Sequence, residues 1–194
     1  MITKERFVIA VTGTPGTGKS TFAKMLSKEM DGSRIMELNE IVDEYRLFSR
    51  IDKMGSKVVK LKELEKKTKE LIAAESSTAI IVGHLVPEIR IGQQITVVTR
   101  VGLKELIGRL EARNYQFEKV KENLISESID YCGVKCREEG LETYEVETES
   151  EKSEIISYIK DFVAGKRHKQ PEMKEISMFN ELMEIATSDN RYGL

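Results

Sequence analysis

Two cysteines, no long apolar run and almost no net charge set the first bounds on this chain of 194 residues. Two cysteines build no disulfide framework, which fits a reducing compartment. Cys132 and Cys136 stand four apart on an expected helix and lack the two further ligands of a structural zinc site, so helix packing is their expected role. No stretch reaches eighteen apolar residues, so no membrane span is expected. The N-terminal residues are too poor in apolar side chains for a signal peptide, and a cytoplasmic location is the expectation. A net charge of −2 does not indicate a general nucleic-acid coat, although it can mask a local basic site. Neither an internal repeat nor a low-complexity tract is present. What remains is a chain with 40% hydrophobic residues, enough to bury the core of one α/β domain.

The most informative stretch runs from Phe7 to Thr21. An apolar strand enters a glycine-rich turn, and the turn enters a helix near Lys19. The spacing G-x-x-x-x-G-K-S is that of a phosphate-binding loop. Gly13, Gly16 and Gly18 permit backbone shapes and close approaches that a side chain obstructs. Thr14, Pro15, Thr17 and Thr21 complete the loop, whose N–H groups wrap a β-phosphate at a helix N-terminus. Lys19 is expected to reach the β- and γ-phosphates, and Ser20 to ligate Mg²⁺. The motif leaves the phosphate acceptor unnamed.

Along the rest of the chain, expected strands alternate with helices. Strands are expected at residues 7–11, 34–38, 78–83, 94–99 and 142–147, and the alternation suits a doubly wound parallel sheet. Asn39 is placed as a helix cap, Val58-Val59 as a brief strand after a turn at Gly55, and residues 39–76 as a small helical insertion over the loop. His84 follows the C-terminal end of a buried strand, the edge where ligand residues gather in open α/β sheets. Arg100, Arg109, Arg113, Lys119 and Lys121 form a basic set after the 94–99 strand. They either surround the moving phosphoryl oxygens or pair with Glu105, Glu111 and Glu118 on a solvated helix. Ser150 is the expected cap of the next helix, and Gly165 closes the domain. Met173, Ile176, Phe179, Met183 and Ala186 then recur at helical spacing. This amphipathic tail is expected to dock on its own chain, on a second subunit or on another protein.

Several segments carry a family resemblance: V-T-G-T-P-G-T-G-K-S at 11–20, I-I-V-G-H at 80–84, V-V-T-R at 97–100, R-L-E-A-R-N-Y at 109–115 and K-V-K-E-N at 119–123. On these the chain resembles the small adenylate kinases of archaea and eukaryotic nuclei that also assist small-ribosomal-subunit assembly. The resemblance implies a P-loop α/β/α fold with a central parallel sheet over residues 1–165. It implies a monophosphate-binding region at 39–76 and a short lid at 113–121, before a basic linker and amphipathic helix at 166–194. It also implies phosphoryl transfer from MgATP to AMP, giving two ADP. Residues 13–21 and Arg109 would then bind ATP, Ser20 would ligate the metal, and Lys19, Arg100, Arg109 and Arg113 would be catalytic. Asn39 and Asp52 resemble residues near the monophosphate, and Lys119 falls in the lid region. His84 is similar to the histidine of the family's D-x-H segment. Val82 stands where that segment has its acid, and Lys60 where the family commonly has an acidic residue. Two further readings follow: an ATP-driven assembly factor acting on a small-subunit ribosomal protein or rRNA intermediate, and a kinase for another monophosphate such as CMP. The tail leaves self-association open.

Overall fold

Apolar side chains on both faces of Val8–Thr12 drive that segment to the middle of a sheet, and all five residues are buried. The computed structural model describes residues 7–53, 55–167 and 169–192. In chain order these form β1 (Val8–Thr12), α1 (Lys19–Lys28), β2 (Arg34–Glu37), α2 (Leu38–Glu44), β3 (Phe48–Ile51), β4 (Lys57–Val59), α3 (Leu61–Ala74), β5 (Ala79–Val82), β6 (Ile95–Thr99), α4 (Leu103–Glu111), α5 (Phe117–Ser128), α6 (Tyr131–Glu138), β7 (Thr143–Val146), α7 (Glu149–Val163) and α8 (Phe179–Ser188). The main sheet is parallel, in the order β2-β5-β1-β6-β7. Among the described residues no helix is long and apolar enough to cross a membrane.

The two faces of the sheet are covered separately. Ile9, Val11, Ile80, Val82, Ile95 and Val97 pack against Phe22, Ala23 and Leu26 of α1 and against Ile155 and Ile159 of α7. On the opposite face, Ala10 and Ile81 meet Ile41 and Val42 of α2 and Leu64 of α3. The result is a three-layer α/β/α fold, as expected. A parallel sheet covered on both sides keeps its backbone polar groups paired and presents one edge of strand ends to ligands.

Three local expectations are corrected. Within the 39–76 region the brief strand expected at Val58-Val59 is present as β4, but it pairs with an unexpected β3 in an antiparallel hairpin between α2 and α3. Asn39 lies inside α2, whose cap position is taken by Glu37 without a side-chain cap bond. Helix α7 is capped by Thr148 rather than Ser150. Thr148 Oγ1 accepts from Glu151 N at 3.3 Å, and Glu151 Oε2 accepts from Thr148 N at 3.0 Å, a complete capping box.

The tail helix is shorter than its periodicity suggests. Met173 and Ile176 precede α8 outside any helix or strand, and Ile176 N donates to Glu145 Oε2 at 2.9 Å. Met178, Leu182 and Ile185 pack on Leu103, Leu106 and Leu110 of α4 and on Val120 and Leu124 of α5. The tail therefore docks on its own chain. Glu181 of α8 places its two carboxylate oxygens on the N–H groups of Leu103 (2.9 Å) and Lys104 (3.0 Å). The N-cap residue of α4 is Gly102, which has no side chain to do this. A remote carboxylate thus satisfies orphan donors at the positive end of α4. Glu181→Ala should lower the unfolding free energy by about 1–2 kcal/mol. Urea denaturation checks this, with Phe179→Ala, a change at an exposed position, staying within about 0.5 kcal/mol.

Candidate active site

The loop from Gly13 to Gly18 takes its shape from backbone packing. Gly13 has φ 137°, and a Cβ there would lie 2.5 Å from the Thr99 carbonyl oxygen. Gly16 has φ 99°, and its Cβ would meet Leu106 Cδ1 at 2.7 Å. The positive φ strains any other residue at both positions, and at Gly13 a side chain would also meet fixed backbone. Thr17 Oγ1 donates to Thr14 O at 2.9 Å and lies 2.8 Å from Thr99 Oγ1, which pins the loop to the end of β6. The first-turn N–H groups of α1, from Lys19 to Thr21, lack intrahelical acceptors and form a site suited to an anion.

Lys19 Nζ donates to Gly13 O and Thr14 O, both at 2.9 Å, so the ammonium folds over the loop. Burial lowers its pKa to about 8. Arg109 Nη1 donates to Gly16 O at 2.9 Å, and its Nη2 pairs with Glu105 Oε1 at 2.5 Å. Arg113, one helical turn further on, is exposed, and its charge helps depress the Lys19 pKa. Asn114 follows with φ 58°, the left-handed turn that ends α4. The expected lid at 113–121 is therefore a short turn plus the first part of α5.

Two clefts flank the loop. One, of about 710 Å³, is lined by Gly18, Thr21, Arg109 and residues 147–149. The other, of about 610 Å³, is lined by Lys19, Ser20, Glu37, Asn39, His84 and Lys119. Gly16 and Arg113 border both. Lys119 Nζ donates to Ser56 Oγ, joining α5 to the β3–β4 hairpin beside the second cleft. Asp52 Oδ1 accepts from Ser56 N at 2.8 Å and so shapes the hairpin turn rather than lining either cleft. Burial, then the charges of Lys19 and Lys119, lower the His84 pKa to about 4. The imidazole is neutral at neutral pH, able to hydrogen-bond but not to act as a cation.

Arg100 requires a correction. Its guanidinium does not join the phosphate-facing set, because it is fully buried among carboxylates. Nε meets Glu127 Oε1 at 2.8 Å, while Nη1 meets Glu145 Oε2 at 2.6 Å and Asp130 Oδ1 at 2.8 Å. Nη2 donates to Glu127 O at 2.7 Å. Arg137 joins the cluster through Asp130 and Glu145, each at 2.5 Å. Burial alone would lower the Arg100 pKa, but the three carboxylates outweigh it and hold the pKa above its usual value. The acidic partners went unrecognised in the sequence because they are contributed by α5, the turn before α6, and β7.

Ser20 is exposed on α1 and lines the second cleft. Among the described residues no three His, Cys, Asp or Glu side chains converge on a metal position. A hydroxyl and few protein ligands suit a Mg²⁺ held largely by nucleotide phosphates and water. Cys132 and Cys136 are buried thiols whose pKa values burial pushes up to about 11 and about 12, consistent with packing.

A glycine loop at the C-terminal edge of a parallel sheet, with a cleft of mixed charge on each side, defines a P-loop nucleotide-binding protein of kinase architecture. The family described as "AAA domain" matches residues 9–130. A Methanosarcina barkeri protein named "Putative adenylate kinase" is 31% identical over 174 residues, covering 86% of this chain and 93% of its own. A protein of the same name from Methanocaldococcus jannaschii is 32% identical over 163 residues, covering 84% of this chain and 87% of its own. A Thermus thermophilus crystal structure matches with a TM-score of 0.51 at 18% identity, covering 85% of this chain and all of that one, a likeness of fold alone. The chain belongs to the P-loop NTPase family of these archaeal proteins.

Arg100→Met should lower the unfolding free energy by roughly 3–5 kcal/mol, because it leaves Glu127 buried without its partner and Asp130 and Glu145 with Arg137 alone. Urea denaturation checks this; an unchanged midpoint accompanied by lost nucleotide affinity would return Arg100 to the phosphate site.

Proposed function

We propose that the chain is a nucleoside monophosphate kinase that moves the γ-phosphoryl group of MgATP to AMP, giving two ADP. The observation that carries this reading is the pair of clefts meeting at Gly16 and Arg113. A hydrolase needs room for one nucleotide and a water, whereas a transferase needs two sites that face each other across the moving group. The cleft along α1 and Arg109 takes ATP, with its triphosphate on residues 13–21. The cleft under the hairpin takes the monophosphate beside Asn39, Arg113 and Lys119.

Lys19 leaves the Gly13 and Thr14 carbonyls to contact the β- and γ-phosphates. Ser20 would hold Mg²⁺, which would supply positive charge to the nucleotide phosphates. Arg109 and Arg113 neutralise charge that shifts toward the bridging oxygens in the transition state. No strong general base is required, since the accepting phosphate oxygen is already anionic. Closure of the 112–116 turn over the hairpin excludes water and favours transfer over hydrolysis. A neutral His84 hydrogen-bonds at the acceptor side without adding charge.

A second reading, an ATP cycle serving small-ribosomal-subunit assembly, is favoured by the exposed Met173, Phe179 and Met183 on the tail. An acceptor screen with MgATP separates these readings. AMP should give the largest specificity constant among AMP, CMP and dCMP, with little hydrolysis in the acceptor-free control. Lys19→Ala should lower ADP formation by roughly 10²–10³-fold. A larger specificity constant for a pyrimidine monophosphate overturns the AMP assignment. Acceptor-independent hydrolysis stimulated by a small-subunit protein or rRNA supports the second reading.

A further inference from the structure

The strand beside β1 ends on Val82, a buried valine where the resembling family carries an acid. Strand β5 pairs in parallel with β2, and the residue opposite Val82 is Glu37. Paired residues on neighbouring strands project to the same face of a sheet. Ile80 and Val82 pack toward α1, with Ile35 of β2 against the same cluster, so Glu37 leaves the sheet on the α1 side. The first turn of α1 carries Lys19 and Ser20, and all three residues line one cleft. Glu37 is half-buried, and among the described residues no hydrogen bond or ion pair ties its carboxylate down.

We propose that Glu37 supplies from β2 the carboxylate that β5 lacks at position 82, orienting the water shell of the metal–nucleotide complex bound at Ser20. This inference rests on the nucleotide-site reading above. The physical need is specific. Mg²⁺ is released from water reluctantly and keeps several waters, which carboxylates hold in place. Neighbouring strands stand about 4.8 Å apart, and glutamate's extra methylene recovers part of that offset. Glu37 is thus a positioning residue that acts through water and not on the reacting atoms. The valine at 82 becomes tolerable because the charge has moved one strand outward at the same height along the sheet.

The test measures Mn²⁺ binding to the full chain saturated with ADP, followed by electron paramagnetic resonance of free Mn²⁺. Glu37→Gln should weaken Mn²⁺ binding by roughly tenfold, the usual scale for losing an outer-shell partner. Its ADP affinity in chelator should stay within about twofold of wild type, since an outer-shell partner acts on the metal. Adding Val82→Asp to Glu37→Gln should return Mn²⁺ affinity toward the wild-type value. The proposal is overturned by unchanged Mn²⁺ affinity in Glu37→Gln, by an equal loss of ADP affinity in chelator, or by a folded double variant as weak as the single one. If the Val82→Asp protein fails to melt cooperatively, the Glu37→Gln affinities decide alone. Wild-type protein that does not bind ADP would instead overturn the nucleotide site itself.

Discussion

The Thr99 carbonyl oxygen occupies the space that a side chain on residue 13 would need. That single close approach sets the loop against the end of β6, and the Thr17–Thr99 contact holds it there. Everything chemical follows from the placement. Helix α1 begins with its unsatisfied N–H groups facing the strand ends, and Lys19 lies over the loop. The two clefts open on either side because the loop rises between them. A phosphate-binding loop is a backbone device, and its side chains matter first for what they leave uncovered.

A second constraint holds the frame around that loop. Arg100 and Arg137 with Glu127, Asp130 and Glu145 bring the end of β6, helices α5 and α6, and β7 onto one buried charge cluster. Such a network is tolerable only when nearly every donor and acceptor is matched, and removing one member leaves the others uncompensated. The cluster also anchors the tail, because Glu145 accepts the Ile176 N–H. From there the tail reaches α4 through Glu181 and the start of α5 through Tyr192, whose ring lies 5.2 Å from that of Phe117. The two helices that bracket the 112–116 turn are therefore held by a segment from the far end of the chain. Arg109 on α4 and Arg113 in the turn after it line the cleft beside Gly18 and Thr21.

What could be read in the sequence was local. Glycine spacing from 13 to 18 announces a loop because each glycine answers a local backbone demand. Continuous apolar runs such as Ala79–Val82 announce buried strands for the same kind of reason. Of the hairpin at 48–59 the second strand could be read at Val58-Val59, but the first strand and the pairing could not, since Phe48–Ile51 has no strong alternation of its own. Ser150 and Thr148 both suit a helix cap, and only Glu151 reaching back to Thr148 N decides between them. Met173 and Ile176 fit a helical period, but that stretch is not helical, and Ile176 N finds a tertiary acceptor in Glu145. Arg100 sits one residue beyond a central strand, where sequence cannot tell a guanidinium aimed at phosphate from one aimed at buried acids. Glu37 acquires meaning only once the register places it opposite Val82.

The central claim is that a phosphate chain crosses the loop from one cleft to the other. A crystal structure with two adenosines joined by five phosphates tests it most directly. The account predicts one adenosine in the cleft beside Arg109 and residues 147–149, and the other under the hairpin beside Asn39. The intervening phosphates should lie on Gly16 to Ser20, with Lys19 and Arg113 in contact. Both adenosines on one side of the loop, or a phosphate chain that bypasses Lys19, would contradict it.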